Sequence, residues 1–275
     1  MGLLLAPLVP GGGWTVLTAA LLLTALPLAT LIGTRALGAY PGAFVRLFVF
    51  RPFWYAMFLV LLLTLASAAG ALVGAPFGRA AEAGRVALLA MAALFALSSV
   101  AGYAWSRRLD VRRFIATLPG LPAELEGLTL AQISDLHVGP HVSRSFMERV
   151  TRAVREASPE LIAVTGDLID DFPADVERYA EFFGALAAPL GVFAIPGNHE
   201  VYAGWDDVRA RLERLPLRVL LNEAAMVTRN GGRFAVAGTG DPAFGPGTGG
   251  AAAPDIDRTL ASVAPGTFVL ALSHN

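Results

Sequence analysis

The hydrophobic pattern of the chain changes once, and sharply. From Met1 to Ser106 the only charged residues are Arg35, Arg46, Arg51, Arg79, Arg85 and Glu82, whereas from Arg107 onward apolar and polar positions mix as in an ordinary soluble domain. The first part holds three uncharged apolar stretches, at about 14–33, 53–73 and 86–105. Each has the ~20 residues that a helix needs to cross the hydrocarbon core of a bilayer. Trp14, Trp54, Tyr55, Tyr103 and Trp105 sit near their ends, where amphipathic rings favour the interface. The pattern predicts a membrane domain over 1–106 with three transmembrane helices, the first kinked at Pro27. The ten residues before Gly11 lack a basic leader, and two further spans follow the first, which argues against a cleaved signal peptide.

The arginines predict the orientation. Arg35, Arg46 and Arg51 precede the second span, and Arg107, Arg108, Arg112 and Arg113 follow the third, on the same side of the membrane. Only Arg79 and Arg85 lie on the other side. The excess of positive charge belongs in the cytoplasm, so the expectation is a multi-pass protein of the inner cell membrane with a cytoplasmic C-terminal domain; an extracytoplasmic domain is the alternative.

Residues 107–127 form the expected linker, with two prolines and two glycines in Leu118–Gly127. Beyond it, short apolar runs alternate with amphipathic ones. Strands are predicted at 128–133, 161–164, 192–195, 219–221, 225–229, 234–238 and 268–272. Helices are predicted at about 145–157, where Ser145 and Glu148 have capping-box spacing, and at 174–186, 205–214 and 255–263. Strand–helix alternation implies an α/β fold, whose functional residues gather beyond the strand ends.

The net charge of −1 over 275 residues supplies no basic face for nucleic acid. Cysteine is absent, and so is lysine; thiolate metal sites, Schiff-base chemistry and a P-loop are thereby excluded. The expected spans contain no acidic residue or histidine to mark an ion path, which argues against a transporter.

The placement of the four histidines carries the chemistry. His137, His199 and His274 each follow a predicted strand, with Asp135, Asn198 and Ser273 beside them; His141 is read as a surface residue. Oxygen and imidazole donors without sulfur suit Mn, Fe, Zn, Ni or Co. On an extended segment Asp135 and His137 point the same way and could share one ion. Asp167, at the next strand end, could bridge two ions, with Asn198 and His274 completing the second. His199 stands beside a ligand and is the candidate general acid or charge stabiliser.

Four ordered blocks, Ser134-Asp135-Leu136-His137, Gly166-Asp167-Leu168-Ile169-Asp170, Gly197-Asn198-His199-Glu200 and Ser273-His274-Asn275, resemble those of the calcineurin-like metallophosphoesterases. The resemblance spans 128–275 and is most similar to the bacterial branch of membrane-associated phosphohydrolases. It implies a β-sandwich flanked by helices and two divalent metal ions. Asp135, His137 and Asp167 would hold one ion; Asp167, Asn198 and His274 the other. His199 would be the catalytic residue that binds no metal. Some relatives in that branch hydrolyse the pyrophosphate of UDP-diacylglucosamine, so the implied partner is a phosphorylated small molecule or a lipid-linked substrate at the membrane lipid. The family carries a further Gly-His-x-His block downstream, whereas this sequence reaches Asn275 without one. The expectation is therefore a domain incomplete at its C-terminus and weakened in activity. A rival class is a membrane protein that uses a phosphoesterase-like domain only to bind ligands or partners.

Weaker signals are Asp170 and Asp241, candidates for supporting positions near the site, and Glu200, read as structural rather than as a base. Gly245, Gly247 and Gly250 spell a dinucleotide fingerprint but lie in a Gly/Pro/Ala loop without the required strand and helix.

Overall fold

The computed structural model describes residues 12–37, 39, 41–245 and 253–274, with the side chains of 12–17, 19–21, 23 and 35 excepted. Asn275 and most of the glycine-rich loop lie outside them. The chain forms two compact units, one up to Arg108 and one from Leu109 on.

In the first unit α1 (Gly12–Ala36) contains Pro27. A short helical segment with a π-helical turn at Arg46–Phe50 leads into α2 (Arg51–Gly74), and α3 (Ala80–Ser106) follows. Two continuous helical stretches, Ala43–Phe77 and Ala80–Ser106, are long and apolar enough to cross a membrane. The expected first span falls on α1, of which Thr24–Thr34 is apolar among the residues whose side chains are described. Helices α2 and α3 approach closely because glycines face the partner. A Cβ at Gly70 would stand 2.6 Å from the Ala83 carbonyl oxygen, and one at Gly74 2.6 Å from the Ala83 Cβ, the small-residue contact that lets apolar helices associate without a hydrophobic driving force.

The second unit contains β1 (Leu130–Ile133), α4 (Arg144–Ala157), β2 (Leu161–Thr165), α5 (Asp175–Arg178), α6 (Ala180–Gly184), β3 (Val192–Ile195), α7 (Asn198–Leu212), β4 (Arg218–Val219), β5 (Glu223–Arg229), β6 (Gly232–Gly238), α8 (Ile256–Leu260) and β7 (Val269–Leu272). Strands β1 to β4 form a parallel sheet in sequence order, and β5, β6 and β7 form a second sheet. Within the second, β5–β6 is antiparallel and β6–β7 parallel.

The apolar runs of β2 and β3 follow from burial on both faces. Ile162, Val164, Val192 and Ala194 belong to a cluster with Met147 of α4, Phe182 and Phe183 of α6 and Val208 of α7. The alternate residues Leu161, Ala163, Phe193 and Ile195 belong to another, with Val227, Phe234, Val236 and Leu272 of the second sheet. A side chain of this size contributes roughly 1.5–3 kcal/mol on full burial. At Gly238 a Cβ would meet the Leu220 Cβ at 2.5 Å and the Ile195 Cγ2 at 2.6 Å, so glycine is what lets β6 lie against the first sheet.

Three helix expectations need correction. Ser143, not Ser145, caps α4: its hydroxyl accepts the Phe146 N–H at 3.2 Å. The run 174–186 is two short helices rather than one. Tyr179 leaves helical geometry at their junction, where its hydroxyl is shared between the carbonyls of Gly139 and Val142 at 2.6 Å each. Helix α7 starts at Asn198, seven residues before the expected Trp205, and breaks at Gly204, where φ is 107°. Its early start places two site residues on a helical turn.

Candidate metal centre

In a parallel sheet the C-terminal ends of the strands share one edge, and β1, β2 and β3 run out there into Asp135, Asp167 and Asn198. The backbone beyond β1 and β2 is unusual. Asp135, His137 and Asp167 all have positive φ, at 55°, 43° and 51°. For residues with a Cβ this region is sparsely populated, and it concentrates at functional sites. The expected extended Asp-x-His segment is therefore corrected: two left-handed residues, not strand alternation, bring Asp135 and His137 together. The strain is held by the His137 N–H donating to the Asp167 carbonyl at 3.0 Å and the Asp135 N–H to the Gly166 carbonyl at 3.2 Å.

Asp167 is buried and central. Its Oδ2 lies 3.5 Å from His137 Nε2, and its Oδ1 lies 3.5 Å from His274 Nε2. His137 Nε2 is also 3.9 Å from Asp135 Oδ1, and His274 Nε2 is 3.3 Å from Asn198 Oδ1. Each carboxylate oxygen of Asp167 thus faces a different histidine.

These spacings fit metal ligation. Two ligands bound about 2.1 Å from one ion stand roughly 3–3.5 Å apart, close to the separations here and longer than a good hydrogen bond. The tautomer of His274 agrees. His274 Nδ1 donates to the Thr165 carbonyl at 2.7 Å, which leaves the Nε2 lone pair facing Asp167 and Asn198. His137 turns its Nε2 to the carboxylates of Asp135 and Asp167, while its Nδ1 is buried without a hydrogen-bond partner among the described residues. Asp135, His137 and Asp167 form one group whose donor atoms lie within 4.8 Å of one another; His137, Asp170 and His199 form another.

Glu200 organises the site from below. It is 0% exposed, and its carboxylate accepts the backbone N–H groups of Asp167 at 2.9 Å, Ile169 at 3.1 Å and Gly197 at 2.8 Å. Burial pushes its carboxyl up, and the charge of Asp167 adds to this against the downward pull of the three N–H groups. The reading of Glu200 as structural is consistent with this geometry. Gly197 must be glycine, because a Cβ there would lie 2.3 Å from Asp167 Oδ1 and 2.5 Å from its amide nitrogen.

His199 lies beside His137, with ring centroids 4.4 Å apart. Its backbone N–H donates to Asp167 Oδ1 at 3.0 Å. Its Nδ1 bonds the Asp170 carbonyl, with Asp170 Oδ1 3.8 Å away, so the other ring nitrogen is left for the site. Asp170 Oδ1 also lies 3.8 Å from His137 Nδ1. Asp241 is buried after β6, with its Oδ1 accepting the Ala243 N–H at 2.7 Å. For His274, burial disfavours the protonated ring, but the Thr165 carbonyl and the charges of Asp167, Asp135 and Asp241 outweigh it and raise the imidazole above 6.5. His141 is exposed.

The structure thus brings together Asp135, His137, Asp167, Asn198, His199 and His274, with Asp170 against two histidines and Asp241 within electrostatic reach of His274. Sequence reasoning missed Thr165, whose carbonyl accepts both the Ser134 hydroxyl at 3.0 Å and His274. A backbone acceptor leaves no mark on residue type. It also missed Tyr202, whose ring lies 6.0 Å from that of His199; its spacing of three residues on a helix was the available signal.

A parallel sheet whose strand ends gather carboxylate, amide and imidazole donors around one buried aspartate offers a site that can hold divalent metal. Residues 128–254 match the family model described as calcineurin-like phosphoesterase. Enzymes of the family are metal-dependent phosphoric ester hydrolases that use divalent ions. Among similar curated proteins, the chain is 34% identical to the "Transmembrane protein with metallophosphoesterase domain" of Danio rerio, over 40% of this chain and 25% of the relative. It is 29% identical to an "Uncharacterized metallophosphoesterase" of Aquifex aeolicus, over 60% and 62%. It is 36% identical to the "UDP-2,3-diacylglucosamine pyrophosphatase LpxG" of Chlamydia trachomatis, over 36% and 32%. The chain thus spans from a quarter to under two thirds of these relatives' lengths.

Proposed function

We propose that the chain is a membrane-anchored phosphoesterase that hydrolyses a phosphomonoester, phosphodiester or pyrophosphate at a dinuclear metal centre. The observation that carries this is the placement of Asp167, with one oxygen facing His137 and the other facing His274. Asp135, His137 and Asp167 would hold one ion, and Asp167, Asn198 and His274 the other. Such a pair of ions supplies a clamp for the phosphoryl group and a water of lowered pKa. The chain's own residues supply the rest. His199, fixed through Nδ1 on the Asp170 carbonyl, directs its other nitrogen into the site to protonate the leaving oxygen or stabilise phosphoryl charge. Asp170 keeps that ring oriented. Glu200 and Gly197 hold Asn198 and His199 against Asp167. The two sheets and their shared core are the proposed sandwich of the family.

Two helices of crossing length support an anchor. We read α1 as a third span and the domain from residue 128 as cytoplasmic, on the arginine distribution. A lipid-linked pyrophosphate is the favoured substrate: the anchor would hold the site near the bilayer, and a similar protein bears the name of a UDP-2,3-diacylglucosamine pyrophosphatase.

The test is hydrolysis of bis-p-nitrophenyl phosphate by the Mn-loaded chain. His199→Ala should lose at least about 100-fold in rate, the scale of a displaced acid–base group, and Asp167→Ala, which removes the carboxylate that both ions would share, should lose at least as much. Rates equal to the parent's contradict the mechanism. An export-dependent reporter fused after residue 120 should stay silent; activity would reverse the orientation.

A further inference from the structure

Tyr202 is the most exposed large apolar side chain between residues 119 and 245 among the described residues, at 63%. It follows Asn198 by four positions and His199 by three, so the first turns of α7 present all three on neighbouring positions of one helix surface. Its ring stands 6.0 Å from that of His199, tilted by 57°. The turn that carries it is pinned at several points. Glu200 binds three backbone N–H groups beneath it, and the His199 N–H bonds Asp167. Gly204, at φ 107°, ends the regular helix directly afterwards. A rigid aromatic side chain on a fixed turn loses little conformational freedom when it meets a ligand.

We propose that Tyr202 determines specificity: its ring is a platform at the edge of the site for the leaving-group side of the substrate. The ligand class it selects is a phosphoester whose leaving group carries a planar ring, an aryl group or a nucleobase, over an alkyl ester of the same charge. This inference rests on the phosphoesterase reading, which places the leaving oxygen at His199, the residue Tyr202 stands beside. The aromatic body of the tyrosine carries the effect, not its hydroxyl.

The test measures binding, without turnover. The full chain in detergent, loaded with Mn, is titrated by calorimetry with phenylphosphonate and with methylphosphonate. The parent and Tyr202→Phe should bind phenylphosphonate about three- to tenfold more tightly than methylphosphonate, the scale of one aromatic pair. Tyr202→Ala should bring that ratio close to one and leave methylphosphonate affinity unchanged. A ratio near one in the parent, or one that survives in Tyr202→Ala, overturns the inference and leaves the phosphoesterase reading standing. If the parent binds neither phosphonate, the underlying reading fails and this inference fails with it.

Discussion

The carboxylate of Glu200 accepts the backbone N–H of Asp167 at 2.9 Å, and so ties the helix bearing Asn198 and His199 to the strand end bearing the central carboxylate. Glu200→Ala leaves three N–H groups without their acceptor, each costing about 1–3 kcal/mol when buried. The expected loss is about 3 kcal/mol or more, read as a large fall in melting temperature. Glu200→Gln keeps one acceptor oxygen but turns an amide toward the donors, and should fall between. A melting temperature unchanged in Glu200→Ala contradicts the structural role.

Gly197→Ala tests the same junction without replacing a ligand, by crowding the carboxylate and amide of Asp167. The added Cβ would lie 2.5 Å from the Asp167 nitrogen, a backbone atom that cannot swing aside. Mn affinity should fall by about 10–100-fold, as for other losses of support around a metal site. Unaltered affinity in calorimetry would show that the approach of Gly197 to Asp167 is relaxed in solution.

The protonation of His274 sets a pH dependence with a definite sign. Its folded metal-free value is raised above 6.5. A raised value makes the metal-free fold more stable below the unfolded value, and this gain is lost as pH rises through the folded one. Metal needs the unprotonated Nε2, so affinity must run the other way and weaken as pH falls through that raised value. Mn titrations at several pH values should give this slope in the parent and a flatter one in His274→Ala. Equal slopes would remove His274 from the ligand set.

A second pH effect lies away from the site. Arg229 donates to both Glu160 oxygens, at 2.6 and 2.9 Å, and to the carbonyls of Glu124 and Glu126. It thereby ties β5 to the start of β2 and to the segment that places the buried Leu125. The hydrogen bond from Arg229 holds the Glu160 carboxyl below its ordinary 4.5. A depressed value gives stability that is present above the unfolded value and lost as pH falls through the folded one. Arg229→Ala should therefore be destabilised near neutrality, with its deficit shrinking in acid. A deficit independent of pH would assign the effect to the carbonyl contacts alone.

Much of this was legible in the sequence, and the reasons differ by feature. Strands β2 and β3 were readable because burial on both faces makes them continuous apolar runs, and the site residues because chemistry restricts which types can ligate a metal. The left-handed backbone at Asp135 and His137 was not readable, since neither is glycine and the strain is held by partners about thirty residues away. Helix α7 was misplaced because Asn198-His199-Glu200 has the polarity of a loop; Glu200 turns inward to the backbone N–H groups of Gly197 and Asp167 and makes it helical. The break at Tyr179 depends on carbonyls about forty residues upstream, beyond the reach of any local pattern.

In the proposed centre Asp167 joins two metal positions. The most direct measurement is electron paramagnetic resonance of the Mn-loaded chain, with metal counted per chain, for the parent and for Asp167→Asn. The parent should hold two ions per chain and give the broad signal of a spin-coupled pair, with the coupling lost in Asp167→Asn. One ion per chain with the six-line signal of isolated Mn, or coupling that persists in Asp167→Asn, would contradict it.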